Sequence, residues 1–323
     1  MTSQQKAYLY GLGAVLAWST VATAFKISLQ HLSPAQLVLY ASTFSLLSLL
    51  SILAWQGRLG ELLPALRQHW RRSLLLGAVN PFVYYLILFQ AYDLLPAQEA
   101  QALNYTWALT MTLLAIPVLK QKPRPQDALA ALVCYAGVLV IATRGQPLAL
   151  EFSNLAGVGY ALASTVLWAG YWLFNTRDRR EPVLGLTLNF LFALPLAWLW
   201  CLWRGELGAV AWQGIAGAAY VGALEMGFTF ALWLAAMKLT GSTARIANLI
   251  FLSPLLSLLL IYLLIGEQIL PSTLNGLALI LGGLILQKSP CRTAPPAAAE
   301  KPLQQYTGRQ RLRYHDQRFI STR

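Results

Sequence analysis

Runs of about 20 apolar residues, each enough to carry an α-helix through the hydrocarbon core of a bilayer, recur along most of this chain. With a window of about 19 residues they fall at 8–26, 35–55, 74–92, 98–118, 127–143, 155–175, 183–203, 212–236, 243–264 and 272–287. Only short connectors remain, and inside hydrocarbon a backbone must satisfy its own N–H and C=O groups, which a helix does within one segment. The expected fold class is therefore an all-α integral membrane protein with ten transmembrane helices. Composition agrees: 57% of residues are hydrophobic and 11% charged, against about 25% charged in a soluble domain, which argues against a soluble enzyme. The first run follows only Lys6 and continues through Trp18 and Phe25 with no small-residue cleavage pattern, so it is expected to stay as a helix.

The formal charge of +12 does not point to nucleic acid, because the basic residues punctuate apolar runs instead of clustering on one polar face. They mark sidedness. With the N-terminus inside, thirteen Lys and Arg residues fall in inner segments before Lys288, and three (Lys26, Arg144, Arg204) fall outside. Positive loops stay cytoplasmic, so both termini of the multi-pass chain are expected on the cytoplasmic side of the membrane. From Ser289 the composition turns to Pro, Ala, Gln and Arg, which predicts a disordered basic tail with some attraction to anionic membrane lipids. Cys134, Cys201 and Cys291 lie far apart, with neither disulfide nor zinc spacing.

A weak self-match runs through the chain. Asn104 and its neighbours align with Asn248 at an offset of 144, Leu16-Ala17-Trp18 with Val166-Leu167-Trp168 at 150, and Tyr135-Ala136-Gly137-Val138 with Leu281-Gly282-Gly283-Leu284 at 146. The matches keep their order, and the unit they define holds five spans. An odd unit inserts its second copy upside down, giving inverted halves related by an axis in the membrane plane. The expected organisation is a first five-helix repeat over 1–147, an inverted second repeat over 148–288 and the tail over 289–323. Such symmetry suits alternating access around a central cavity, hence a transporter.

The five-plus-five plan, Trp18-Ser19-Thr20 in the first helix, Ser253-Pro254 in the ninth and Gly266-Glu267 at its end together resemble the EamA-type branch of the drug/metabolite transporter superfamily over about residues 7–288. Within that branch, Glu99 followed by Asn104-Tyr105-Thr106-Trp107 is similar to a stretch of the YddG-type aromatic amino acid exporters. The resemblance implies a bacterial inner-membrane exporter of small metabolites, with a cavity lined by helices from both halves and Trp18 among its walls.

Glu225 is an acid in the middle of the eighth span, where an ionisable group is costly unless it faces protein or a wet cavity. Helical spacing places Val221, Gly222, Phe228 and Thr229 on its face. It can carry a proton, attract a substrate ammonium, or bond a neighbouring helix. Asn104 and Asn248 occupy matching positions in the two repeats, as substrate contacts or as interhelical glue. Tyr84, Tyr105, Trp107, Trp168 and Tyr171, with Tyr85 and Trp172, add aromatic surface for apolar or cationic groups, although aromatic belts at membrane interfaces use the same residue types. Glu99 suits the N-terminus of its helix, and Pro254 reads as a mid-span kink or hinge.

His31, His69 and His315 fall in two loops and the tail, with no intramembrane dyad or metal cluster, and no phosphate-binding glycine loop is present. No cofactor and no catalysis are expected. The reading is a secondary transporter of small-molecule substrates, amino acids first, with efflux of drugs or organic cations as the rival, and a lipid scramblase or membrane scaffold as the alternative of another class. Reporter fusions test the topology: a fusion at the C-terminus should report the cytoplasm and one after residue 147 the opposite side.

Overall fold

Serine, threonine and proline decide where the helices begin. Ser33 accepts a hydrogen bond from the Gln36 amide while the Gln36 side chain returns to the Ser33 N–H, and Pro34 fills the first helical position. Two otherwise orphaned donors are thereby satisfied. Glu181 does the same for Leu184 N–H ahead of Pro182. These two helices end alike, at Gly57 and Gly205, both with φ of +68°, a conformation that costs glycine little.

The computed structural model describes residues 1–119, 125–148, 152–175, 178, 180–240, 246 and 248–288. Lys120, Lys122, Arg124, Arg177, Arg179, Arg245 and the tail from Ser289, all used above in the charge and tail expectations, lie outside the described residues. Every regular element among the described residues is a helix. In chain order these are α1 (Ser3–Ser19), α2 (Val21–Leu29), α3 (Pro34–Trp55), α4 (Leu62–Gly77), α5 (Tyr84–Leu94), α6 (Ala97–Asn104), α7 (Trp107–Leu119), α8 (Pro125–Ala142), α9 (Leu155–Asn175), α10 (Pro182–Trp203), α11 (Trp212–Tyr220), α12 (Thr229–Leu239), α13 (Leu252–Leu260) and α14 (Pro271–Lys288).

Among the described residues six stretches are long and apolar enough to cross a membrane: Ser3–Leu29, Pro34–Trp55, Leu59–Leu94, Pro125–Ala142, Pro182–Trp203 and Trp212–Trp233. Leu252–Ile265 and Pro271–Leu286 are apolar but shorter. The stretch ending at Leu94 starts well before the apolar run at 74, because its first turns are amphipathic, with Arg67, Arg71 and Arg72 on a helix that leaves Leu63 and Trp70 exposed.

Several of these stretches are not continuous α-helices. The first breaks at Thr20, where the Ser19 and Thr20 hydroxyls donate back to the Val15 and Ala17 carbonyls, a bond that bends helices. The third breaks at Asn80, whose φ of −140° and ψ of 118° precede Pro81. Tyr105 and Thr106 separate α6 from α7. Val221–Phe228 widens into π-helical turns between α11 and α12, and Ser45 of α3 donates to the Met226 carbonyl in that segment. A 3-10 turn over Asn248–Phe251 precedes α13, so Pro254 sits in the first turn of a new helix. The mid-span kink expected for it is thus not what is seen, and its missing N–H falls among donors that have no intrahelical partner anyway.

The main helix neighbours are α8 with α14, α1 with α12, α3 with α10, and α5 with α9. Glycines let these pairs close up. A Cβ on Gly283 would meet Cys134 Sγ, and one on Gly137 would meet the Gly276 carbonyl and Ile280. Gly222 lies against the Ala41 carbonyl and Gly217 against Ser28. By contrast, Gly159 and Gly282 face open space, and no close approach depends on them. Gly276→Val should therefore lower stability by about 1–3 kcal/mol, the usual cost of overpacking, whereas Gly159→Ala should leave the melting temperature in detergent unchanged.

Candidate functional site

Glu225 falls inside the π-helical segment, and that local geometry overturns the face expected for it. With i→i+5 bonding, Phe228 swings to the outside, 41% exposed, and Gly222 packs on α3. Phe230, five residues after the carboxyl, shares its cavity. Glu225 Oε1 accepts a long hydrogen bond of 3.4 Å from the Tyr85 hydroxyl. Its Oε2 is buried with no donor.

The cavity beside this carboxyl has a volume of about 120 Å³. Seven of the residues singled out from the sequence line it: Trp18, Tyr84, Asn104, Tyr105, Trp107, Trp168 and Glu225. Tyr84 stacks on Trp168 with ring centres 4.6 Å apart, and Phe230 meets both Trp18 and Trp168 edge to face. These contacts fix ring orientation more firmly than burial alone does. Asn104 Nδ2 donates to Ser164 Oγ at 3.0 Å, tying α6 to α9. The Asn248 side chain lies outside the described residues. Gln101, Phe25, Tyr92 and Phe230 also line the cavity and were not anticipated. Gln101 had a readable signal, standing three residues before Asn104 on the same helical face; its Oε1 is buried without a donor.

Tyr171 lines a second cavity, of about 150 Å³, together with Trp172, Asp178, Arg180, Asn189 and Phe230. It stacks on Trp168 at 6.1 Å and accepts from Asn189 Nδ2 at 3.4 Å. Phe230 borders both cavities, stacked on Trp172.

Polar contacts secure both ends of this arrangement. Glu267 accepts from the Ala97 and Gln98 amides at 2.9 and 3.3 Å and so caps α6. Gln98 in turn donates to the Gln268 carbonyl and accepts from Leu270 N–H. Lys26 Nζ donates to the Tyr92 and Leu95 carbonyls at 2.7 and 2.8 Å. Glu99 stands in the first turn of α6, the helix N-terminus its charge suits, and is fully buried, accepting from Ser153 Oγ at 2.5 Å and pairing with Arg144 at 3.2 Å. The amides that begin this helix are capped by Glu267, from a distant part of the chain.

At the other end, between α9 and α10, Arg180 donates to Asp178, to Ser73 Oγ at 2.6 Å and to Asn189 Oδ1 at 3.2 Å. Both side chains of the pair are almost fully buried, and Arg72 stands 3.7 Å from Asp178. Burial pushes the Asp178 carboxyl up, but the hydrogen bonds and charge of Arg180, with the charge of Arg72, outweigh it and hold the group below the usual carboxylate range.

The fold and this cavity are those of a membrane transporter. The EamA-like transporter family model matches twice, over residues 5–143 and 155–287, and the chain belongs to that family. It is 29% identical over 286 residues to the aromatic amino acid exporter YddG of Ancylobacter novellus, covering 87% of this chain and 96% of the relative. It is also 31% identical over 227 residues to the uncharacterized protein PA1977 of Pseudomonas aeruginosa, covering 69% and 74%. A solved crystal structure that is 24% identical superposes with a TM-score of 0.60, covering 88% of this chain and 96% of that one, and so shares the fold.

Asp178 has a depressed folded-state pKa, so it contributes stability above the unfolded carboxylate value, about 3.9, that is lost as pH falls through the lower folded value. Asp178→Asn should cost about 3 kcal/mol at pH 7, the lower end for breaking a buried pair. Melting curves against pH should show the difference from wild type closing only below about pH 4.

Proposed function

We propose that this protein is a secondary transporter that exports small amphipathic metabolites, amino acids first among them, by alternating access through the cavity at Glu225. The observation that carries the reading is the convergence of a lone carboxyl, an amide and several aromatic rings from α1, α5, α6, α7, α9 and the Val221–Phe228 segment on one cavity. Aromatic faces hold a ring-bearing substrate, and Asn104, Gln101 and Glu225 supply polar contacts that orient it. The Ancylobacter novellus relative is an aromatic amino acid exporter, which supports this class.

Ten membrane spans in two inverted repeats, 1–147 and 148–288, give the frame for this motion. The double family match supports that division. So does the exchange of contacts under the repeat offset: Cys134 meets Gly283 and Gly137 meets Ile280, pairs that interchange when 146 is added to one member and removed from the other. Broken helices around a midplane site are expected of such transporters. On the charge asymmetry both termini face the cytoplasm, the family likeness suits a bacterial inner membrane, and the basic composition of the tail suits attraction to anionic lipid. The second cavity, at the Asp178 end, then forms a cytoplasmic vestibule, with Phe230 between it and the central cavity. Substrate and membrane lipids are the partners, and Glu225 is the group that couples transport to protons.

Counterflow in proteoliposomes, with a competitor panel of amino acids, sugars and organic cations, tests the substrate class. Glu225→Gln keeps shape and most hydrogen bonding but removes titration. The variant should stay folded and transport should lose its pH dependence. An unchanged rate and pH profile would reduce Glu225 to a structural residue.

A further inference from the structure

We propose that the central cavity prefers a monocationic arylalkylamine, one aromatic ring bearing an ammonium on a short chain, over the zwitterionic amino acid of the same skeleton. The inference rests on the reading of this cavity as the substrate site and, within the amphipathic metabolites proposed above, places amines ahead of amino acids.

Charge is the first ground. Among the described lining residues Glu225 is the one acid, and none is Lys, Arg or His. Lys26 follows the lining residue Phe25 directly, yet its ammonium is turned to the Tyr92 and Leu95 carbonyls. Arg180, beside the second cavity, is held by Asp178, Ser73 and Asn189. A substrate carboxylate entering here meets no countercharge among the described lining residues, and an uncompensated charge in a low-dielectric site is costly. The indole N–H groups of Trp18, Trp107 and Trp168 donate but carry no charge.

Hydrogen-bond supply is the second ground. The buried groups left open in this wall are acceptors, Glu225 Oε2 and Gln101 Oε1. One of the two Asn104 amide N–H groups is committed to Ser164, and the Tyr85 hydroxyl to Glu225, which thins the supply of donors a carboxylate would need. An ammonium brings three donors and no acceptor, which matches this deficit. The stacked Tyr84 and Trp168 rings add faces that attract a cation lying within about 6 Å. Size is the third ground, since about 120 Å³ is close to the roughly 150 Å³ cavity that accepts benzene, so a single ring fits.

The test is direct binding to the purified full-length protein in nanodiscs, by calorimetry with phenethylamine, phenylalanine amide, phenylalanine and 3-phenylpropionate. Phenethylamine and the amide should bind at least about tenfold more tightly than phenylalanine, the fold-change equivalent to one charge-assisted hydrogen bond, and 3-phenylpropionate should not bind. Glu225→Gln should erase the advantage of the amines while the melting temperature stays at the wild-type value; should that variant not fold, the ligand order on the wild-type protein decides alone. Phenylalanine binding as tightly as phenethylamine, with Trp168→Ala weakening both, would overturn the amine preference and leave the cavity as the site. If none of the four ligands binds, the cavity itself is not the site and both readings fall.

Discussion

Hydrocarbon offers backbone amides and carbonyls no partner, and the rest of this structure follows from that restriction. Where the chain meets lipid it is helical. Around the cavity it departs from α-helix where side chains stand in for the missing intrahelical bonds. Thr106 Oγ1 donates to the Leu103 carbonyl at the gap between α6 and α7. Ser45 supports the widened turn that carries Glu225, and Ser19 and Thr20 cover carbonyls beside Trp18. Irregular backbone thus gathers around the cavity, which is the interior surface able to tolerate it, and the same irregularity turns Trp18, Asn104 and Glu225 inward.

The cavity lies between two sets of polar ties that join segments far apart in the chain. One set is Glu267 on α6, Gln98 on the backbone at Gln268 and Leu270, and Glu206 accepting from Ser33. The other is the Arg180–Asp178 pair with Ser73 and Asn189. A cap of this kind is worth about 1 kcal/mol, so the first set can be exchanged at modest cost, whereas the buried pair is the more expensive one to break. The three basic residues that went against the charge asymmetry each have a partner: Lys26 on two carbonyls, Arg144 on Glu99 and Arg204 on Glu206. Their charge is spent locally, which explains why they sit where positive residues are otherwise scarce.

Family membership places this chain among EamA-like transporters, and the site residues supply the particulars. Aromatic rings come from both sides of the repeat boundary, Tyr84 from one and Trp168 from the other, in direct stacking. The carboxyl, the amide of Asn104 and the rings line one cavity. Phe230 borders both this cavity and the second one.

The sequence by itself determined the membrane environment, the helical class and the exceptional residues. Apolar length alone located stretches such as Pro34–Trp55 and Pro182–Trp203 to within a residue or two, and an acid, an amide or a tryptophan stands out in an apolar run because its placement there needs a reason. Which faces converge was decided by tertiary structure. Lipid is as apolar as a protein core, so a hydrophobic helix carries no stripe that says which side is inside. Phe230 was missed because the π turn before it shifts the register by a residue that α-helical periodicity does not count. Glu99 stands in the first turn of α6 as its charge suits, but its partners Arg144 and Ser153 reach it only after α6, the end of α8 and the start of α9 have packed together, and Glu267 caps the same helix from equally far away in the chain. Contacts between segments more than a hundred residues apart leave no mark in local spacing, and in this protein those contacts select the residues that face the cavity.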